Sequence, residues 1–272
     1  AEKAGLRAVV TPQQSTGAEP VNAGSAELGL ASSYDVQFFV AGTVLYEGRG
    51  PRPNIRMVAR MVPLRTAAMV KLDSPVKSLK DLKGLRVGSG YGAQKSVALV
   101  VKAQLANAGL SERDVQPVLA RNINGAADDF AAGKTDVFWF ALGSAKVKQT
   151  AAAVGGVRAI GIDASDAGLK RMSDVVPDSY ASTVNPSKNL EEIRAAIPVM
   201  TYDMTLFTRA SLSPDVVYKI TKAIHDNKND MGTTFAVLKQ FEPEAMAKPY
   251  AGVEYHPGAI KFYKEKNLWK GK

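Results

Sequence analysis

Short apolar runs alternate with longer stretches in which apolar residues return every third or fourth position. The runs at residues 6–10, 27–31, 55–61, 67–72, 85–87, 115–119, 136–140, 157–162 and 198–207 predict strands. Between them the helical period predicts helices. One starts near residue 18, with Pro20 in its first turn, and others cover 36–44, 78–84, a stretch from 94–96 to Gly109, 124–132, 143–153 and 166–173. In the long middle helix Val97, Val101 and Leu105 fall at i, i+4 and i+8, the buried stripe of an amphipathic helix. Ser213 followed by Pro214 starts a further helix, whose core face is Val216, Val217, Ile220, Ala223 and Ile224. Two more helices follow, near 232–240 and 256–266.

Strand–helix alternation of this kind predicts an α/β protein with mainly parallel sheets. The middle block has its own strands and helices, while the last helices have no strand after them and must pack on the first block. This wiring gives two lobes, residues 1–88 with 203–272 and residues 89–202, with crossings near 87–90 and 200–204 and a ligand cleft between the lobes. Ligands in such units sit beyond the carboxyl ends of strands, here the loops 13–17, 32–35, 89–96, 122–124 and 140–144.

Among those loops, residues 88–96 carry the strongest local signal. Gly88, Gly90 and Gly92 separate a short strand from a helix start, where close backbone approach and unpaired helix N–H groups suit an anion. The run lacks the full dinucleotide fingerprint, and Lys95 follows Gln94 rather than a glycine, so it is not a phosphate loop. Taken locally, it is either an anion cradle or a tight strand-to-helix turn.

Composition narrows the class. The chain has 272 residues and no cysteine, which excludes disulfides, thiolate metal sites and a cysteine nucleophile. Its net charge is +9, but the basic residues are scattered, without a nucleic-acid motif or a basic stripe with interleaved aromatics. A basic solvated surface that draws in small anions is the reading that remains. No apolar run is long enough to span a bilayer, and no signal peptide is visible, so the chain reads as cytoplasmic or as a mature, already processed one. His225 and His256 are the only histidines; neither has metal-ligand spacing nor a triad partner.

Several motifs together resemble the TAXI family of TRAP-transporter solute-binding proteins. They are Thr16-Gly17 after a strand, residues 27–31 before Tyr34-Asp35, SLKDLKGLRV at 78–87 with its glycine turn, AGKTDVF at 132–138, and the HPGA segment from His256 to Ala259. The resemblance implies a two-lobed periplasmic-binding-protein-like fold of type II with a hinge. It implies a periplasmic receptor, its signal peptide removed, that captures a small organic acid or amino acid and hands it to the membrane subunits of a TRAP transporter. No catalysis, cofactor or metal is implied; the chain is expected to be a monomer that does not bind nucleic acid. Two departures stand out. The family has a further strand–helix unit ahead of the Leu6 strand, and its turn reads Gly-x-Pro-Gly-Ser-Gly-Thr where this chain has Gly90 to Ser96 with Tyr91, Gln94 and Lys95 between.

The expected ligand contacts are Thr16, Tyr34, Ser89, Tyr91, Gln94, Lys95, Ser96, Trp139, Phe140 and Tyr202. Ser96 stands where the family has a hydroxyl at a helix start, as ligand contact or as plain N-cap. Lys95 pairs with an anion or is simply solvated. Of Trp139 and Phe140, which alternate faces on a strand, one belongs to the core and the other walls the cleft. Tyr202 faces either the cleft or the core. Three other readings share the architecture: the effector-binding domain of a transcription regulator, a binding protein of an ABC transporter, and an enzyme, which lacks a visible nucleophile–base pair.

Overall fold

A computed structural model of the chain describes residues 5–7, 9–10, 18–234 and 236–271. The elements in order are α1 (Ala18–Asn22), β1 (Leu28–Ser32), α2 (Ser33–Ala41), β2 (Ile55–Lys71), β3 (Arg86–Gly90), α3 (Lys95–Asn107), β4 (Gln116–Ala120), α4 (Ile123–Ala131), β5 (Phe138–Ala141), α5 (Ala145–Val154), β6 (Val157–Ile160), α6 (Asp166–Ser173), β7 (Tyr180–Val184), β8 (Ile197–Arg209), α7 (Pro214–Asp226), α8 (Lys228–Thr234) and α9 (Pro257–Glu265). The described residues of the expected first strand, Leu6, Arg7, Val9 and Val10, take no regular structure.

The chain forms two compact units, Ala1–Pro63 with Asp203–Lys272, and Leu64–Tyr202. Residues 64–88, assigned from the sequence to the first lobe, therefore belong to the second unit. The reason lies in β2. Two strands were expected at 55–61 and 67–72, but Ile55–Lys71 is one continuous strand of 17 residues. Pro63 does not break it, because an extended φ is what the proline ring enforces and only one donor is lost. The chain passes from the first unit to the second within β2, and returns within β8.

The sheets are mixed rather than mainly parallel. β3 and β4 pair in parallel, as do Val87 and Val137 in an isolated bridge. Those are the strands that α3 and α4 connect, as crossover helices require. The ladders of β1 with β8, β2 with β5, β2 with β6, and β7 with β8 are antiparallel. Ala68 and Met69 pair with both β5 and β6, so β2 lies between those two strands and antiparallel to each. Strand–helix alternation correctly marks β5 and β6 as running the same way. It says nothing of a long strand slotted between them.

In the first unit, Val36, Phe39, Met57, Val58, Phe207, Val217, Phe241, Phe262 and Tyr263 belong to one core. The HPGA segment explains part of its closeness. His256 is the N-cap of α9, its Nδ1 accepting from the Gly258 N–H at 3.1 Å. A Cβ on Gly258 would lie 2.2 Å from the Pro214 carbonyl oxygen, so only glycine lets α9 approach α7 this closely. In the second unit, Met69, Ala127, Phe130, Phe138, Val147 and Val157 form the core under α4 and α5. Ala67, Val184, Ile193 and Val199 form a smaller one.

Candidate functional site

The site is built first from the parallel pair in the second unit. β3 and β4 end side by side, with Gly90 opposite Ala120. The turns after them are stitched together: the Ala93 N–H donates to the Arg121 carbonyl at 2.9 Å, and the Gln94 Oε1 accepts from the Ile123 N–H at 2.9 Å. The starts of α3 and α4 are thereby brought next to each other at the carboxyl ends of two parallel strands. Helix starts concentrate positive potential, so this is where an anion gains most. α4 uses part of that capacity itself, since the Asn122 Oδ1 accepts from the Gly125 N–H at 2.8 Å. α3 opens differently. Its N-cap, Gln94, makes no side-chain cap, and its first residues are the exposed Lys95 and the half-buried Ser96.

Several expected contacts have other duties. The Gln94 oxygen is committed to α4. Tyr91 is fully buried, with φ at +44°. It fits because residue 88 is glycine: a Cβ there would sit 3.0 Å from the Tyr91 hydroxyl. That hydroxyl finds no hydrogen-bond partner among the described residues, and burial pushes its pKa up. Trp139 is core, its Nε1–H donating to the Gln104 Oε1 at 3.1 Å. Phe140 is half-buried and leans on the core with Phe130 and Phe138. Ser89 is half-buried on β3, and Tyr202 is buried on β8, the last residue of this unit.

The first unit offers a second helix start. Thr16 lies outside the described residues. At the start of α2, Ser32 is the N-cap without a side-chain cap, and Ser33 is fully buried with a hydroxyl that has no partner among the described residues. Tyr34 is buried beside it, its ring edge-on to Phe38. Asp35 is raised in pKa by burial, against which the Tyr46 hydroxyl, donating to its Oδ1 at 3.0 Å, works in the lowering direction.

Two buried polar networks were not among the expected residues. In the first unit the Asp203 carboxylate accepts from Arg60 Nε at 2.8 Å, from Tyr250 Oη at 3.0 Å and from Lys248 Nζ. Burial raises the Asp203 pKa, but its bonds to Lys248 and Arg60 outweigh burial and hold it below the ordinary carboxylate value. In the second unit Gln104, fully buried in α3, ties that helix to β2 and β5. The sequence carries a signal for both. Arg60 and Asp203 each interrupt an apolar strand run, and Gln104 lies on the stripe of Val97 and Val101. Among the described residues no group of three His, Cys, Asp or Glu side chains is arranged to hold a metal ion.

The chain is similar in structure to several periplasmic proteins. One is the periplasmic aliphatic sulphonate binding protein SsuA from Escherichia coli, at 16% identity over 93% of this chain and 75% of that one, with a TM-score of 0.49. Another is the alkanesulfonate-binding protein SsuA from Xanthomonas axonopodis pv. citri bound to MOPS, at 16% identity over 93% and 80%, with a TM-score of 0.48. A third is a periplasmic transporter, at 18% identity over 89% and 74%, with a TM-score of 0.50. That third likeness shows the fold, an α/β periplasmic-binding-protein-like one. The model of the NMT1-like family runs over residues 7–266, and the chain belongs to that family.

Proposed function

We propose that this protein is a periplasmic solute receptor that binds a small organic anion, a carboxylate, an amino acid or a sulfonate, without transforming it, and delivers it to a membrane transporter. The observation that carries this is the pair of helix starts at the ends of β3 and β4, with exposed Lys95 and half-buried Ser96 opening α3. Backbone N–H groups and a neighbouring ammonium recognise negative charge without a dedicated side-chain pocket. The net charge of +9 favours encounter with anions. The periplasmic setting fits a chain in which no described helix is long and apolar enough to cross a membrane.

The TRAP assignment rested on the TAXI resemblance. The likeness to SsuA-type sulfonate-binding proteins favours the binding protein of an ABC transporter as the first reading of the partner, with the TRAP transporter as the second. A thermal-shift screen of carboxylates, amino acids and alkanesulfonates tests the proposal. A ligand that binds only the folded state at a hundred times its Kd adds about 2.7 kcal/mol of stability, a readily seen rise in Tm. A broad anion panel that leaves Tm unchanged removes the proposal.

A further inference from the structure

The α3 helix is fastened at its back by directional bonds and carries the candidate anion contacts at its front. Gln104 Oε1 accepts from the Ala68 N–H at 3.2 Å and from Trp139 Nε1–H at 3.1 Å. Its Nε2 donates to Thr66 Oγ1 at 3.3 Å, and Thr66 Oγ1 in turn reaches the Met200 carbonyl at 3.5 Å. One amide thus engages β2, β5 and, through Thr66, β8. One turn on, Asn107 clamps the backbone of Asp163, donating from Nδ2 at 2.8 Å and accepting at Oδ1 at 2.7 Å. Arg171 donates to the carbonyls of Ala106 and Asn107 at 2.9 and 2.6 Å.

Apolar packing alone is non-directional and tolerates small slides and rotations of a helix. A buried amide with its bonds made fixes both, and its specificity resides in geometry more than in net stability. We propose that Gln104 is a positioning residue. It sets the rotation and axial register of α3 on the strands of its own unit, and so fixes where Lys95 and Ser96 present themselves. The inference rests on the reading of the α3 start as an anion contact, but its main test does not use a ligand.

The test is hydrogen exchange on the full ligand-free chain, comparing wild type with Gln104→Met and Thr66→Val. The readout is the amides of residues 99–103, whose helical carbonyl partners lie in the first turns of α3. Gln104→Met is expected to lower their protection at least tenfold beyond any loss shared by α4 and α7, and Thr66→Val about threefold beyond it. Unchanged protection at 99–103, or an equal loss throughout the second unit, overturns the proposal and makes Gln104 an ordinary core residue. Should Gln104→Met fail to fold, Thr66→Val decides by the same criterion. Hexanesulfonate and glutamate titrations separate this from the functional reading. Tenfold weaker binding by Gln104→Met supports both, whereas probes that bind neither protein count against the anion site alone and leave the exchange result to decide on Gln104.

Discussion

β2 and β8 carry two buried polar networks, one in each unit, built on opposite principles. In the first unit Arg60 on β2 and Asp203 on β8 form an ion pair that Lys248 and Tyr250 complete. In the second, Thr66 on β2 and Met200 on β8 are joined by a neutral chain that ends in the Gln104 amide. Removing one partner of a buried ion pair is costly, because the remaining charge loses its compensation in a place that water does not reach. A neutral amide network costs less to break and does not change with pH. The first unit is thus locked electrostatically between β2 and β8, and the second geometrically, at the far end of the helix whose start is a candidate anion contact.

That contrast is open to being broken. Asp203→Ala takes the buried carboxylate away from Arg60, Lys248 and Tyr250, while Arg60 keeps Glu242 at 3.2 Å, and a loss of about 3–5 kcal/mol is expected in denaturant unfolding. Gln104→Met is expected to cost less, about 1–3 kcal/mol. Equal losses would erase the distinction between the two locks. Acid sharpens it. The folded pKa of Asp203 lies below its unfolded value of about 3.9, so the stability it contributes is present above that pH and lost as pH falls through the folded pKa. An acid-induced loss below about pH 4 that persists in Gln104→Met and shrinks in Asp203→Asn assigns it to the ionic network.

Smaller effects probe each unit alone. The Tyr91 hydroxyl is buried without a partner among the described residues, so Tyr91→Phe is expected to stabilise the protein by about 1 kcal/mol. Destabilisation would mean that the hydroxyl makes a bond in solution. His256 is fully buried, and burial lowers its pKa below the ordinary histidine value. Its stabilising contribution is therefore complete above about pH 6.5 and declines as pH drops from there toward the folded pKa. A chemical-denaturation series between pH 7 and 5 checks this, and His256→Asn is expected to flatten it.

Much of this was legible in the sequence, and the failures have physical causes. The helix α3, the Ser213–Pro214 start of α7 and the α/β class follow from periodicity and capping chemistry, which are local. The polar interruptions at Arg60, Asp203 and Gln104 were visible, but pairing them needs the register of β2 against β8, which is not local. The burial of Tyr91 is not legible from its place in a glycine turn. That burial depends on a left-handed backbone at Tyr91 and on the space left by Gly88, and residue types alone do not specify either. Antiparallel insertion of β2 between β5 and β6 was hidden for the same reason, since strand direction is a property of the assembled sheet.

The central claim is that the helix starts of this protein recognise negative charge on a small solute. Titration calorimetry with the best-stabilising anion and its uncharged isostere, a carboxylate against its amide or a sulfonate against its sulfonamide, tests it most directly. The account predicts that the anion binds at least tenfold more tightly, a difference of about 1.4 kcal/mol or more. Equal affinity for the two, or tighter binding of the neutral one, would contradict it.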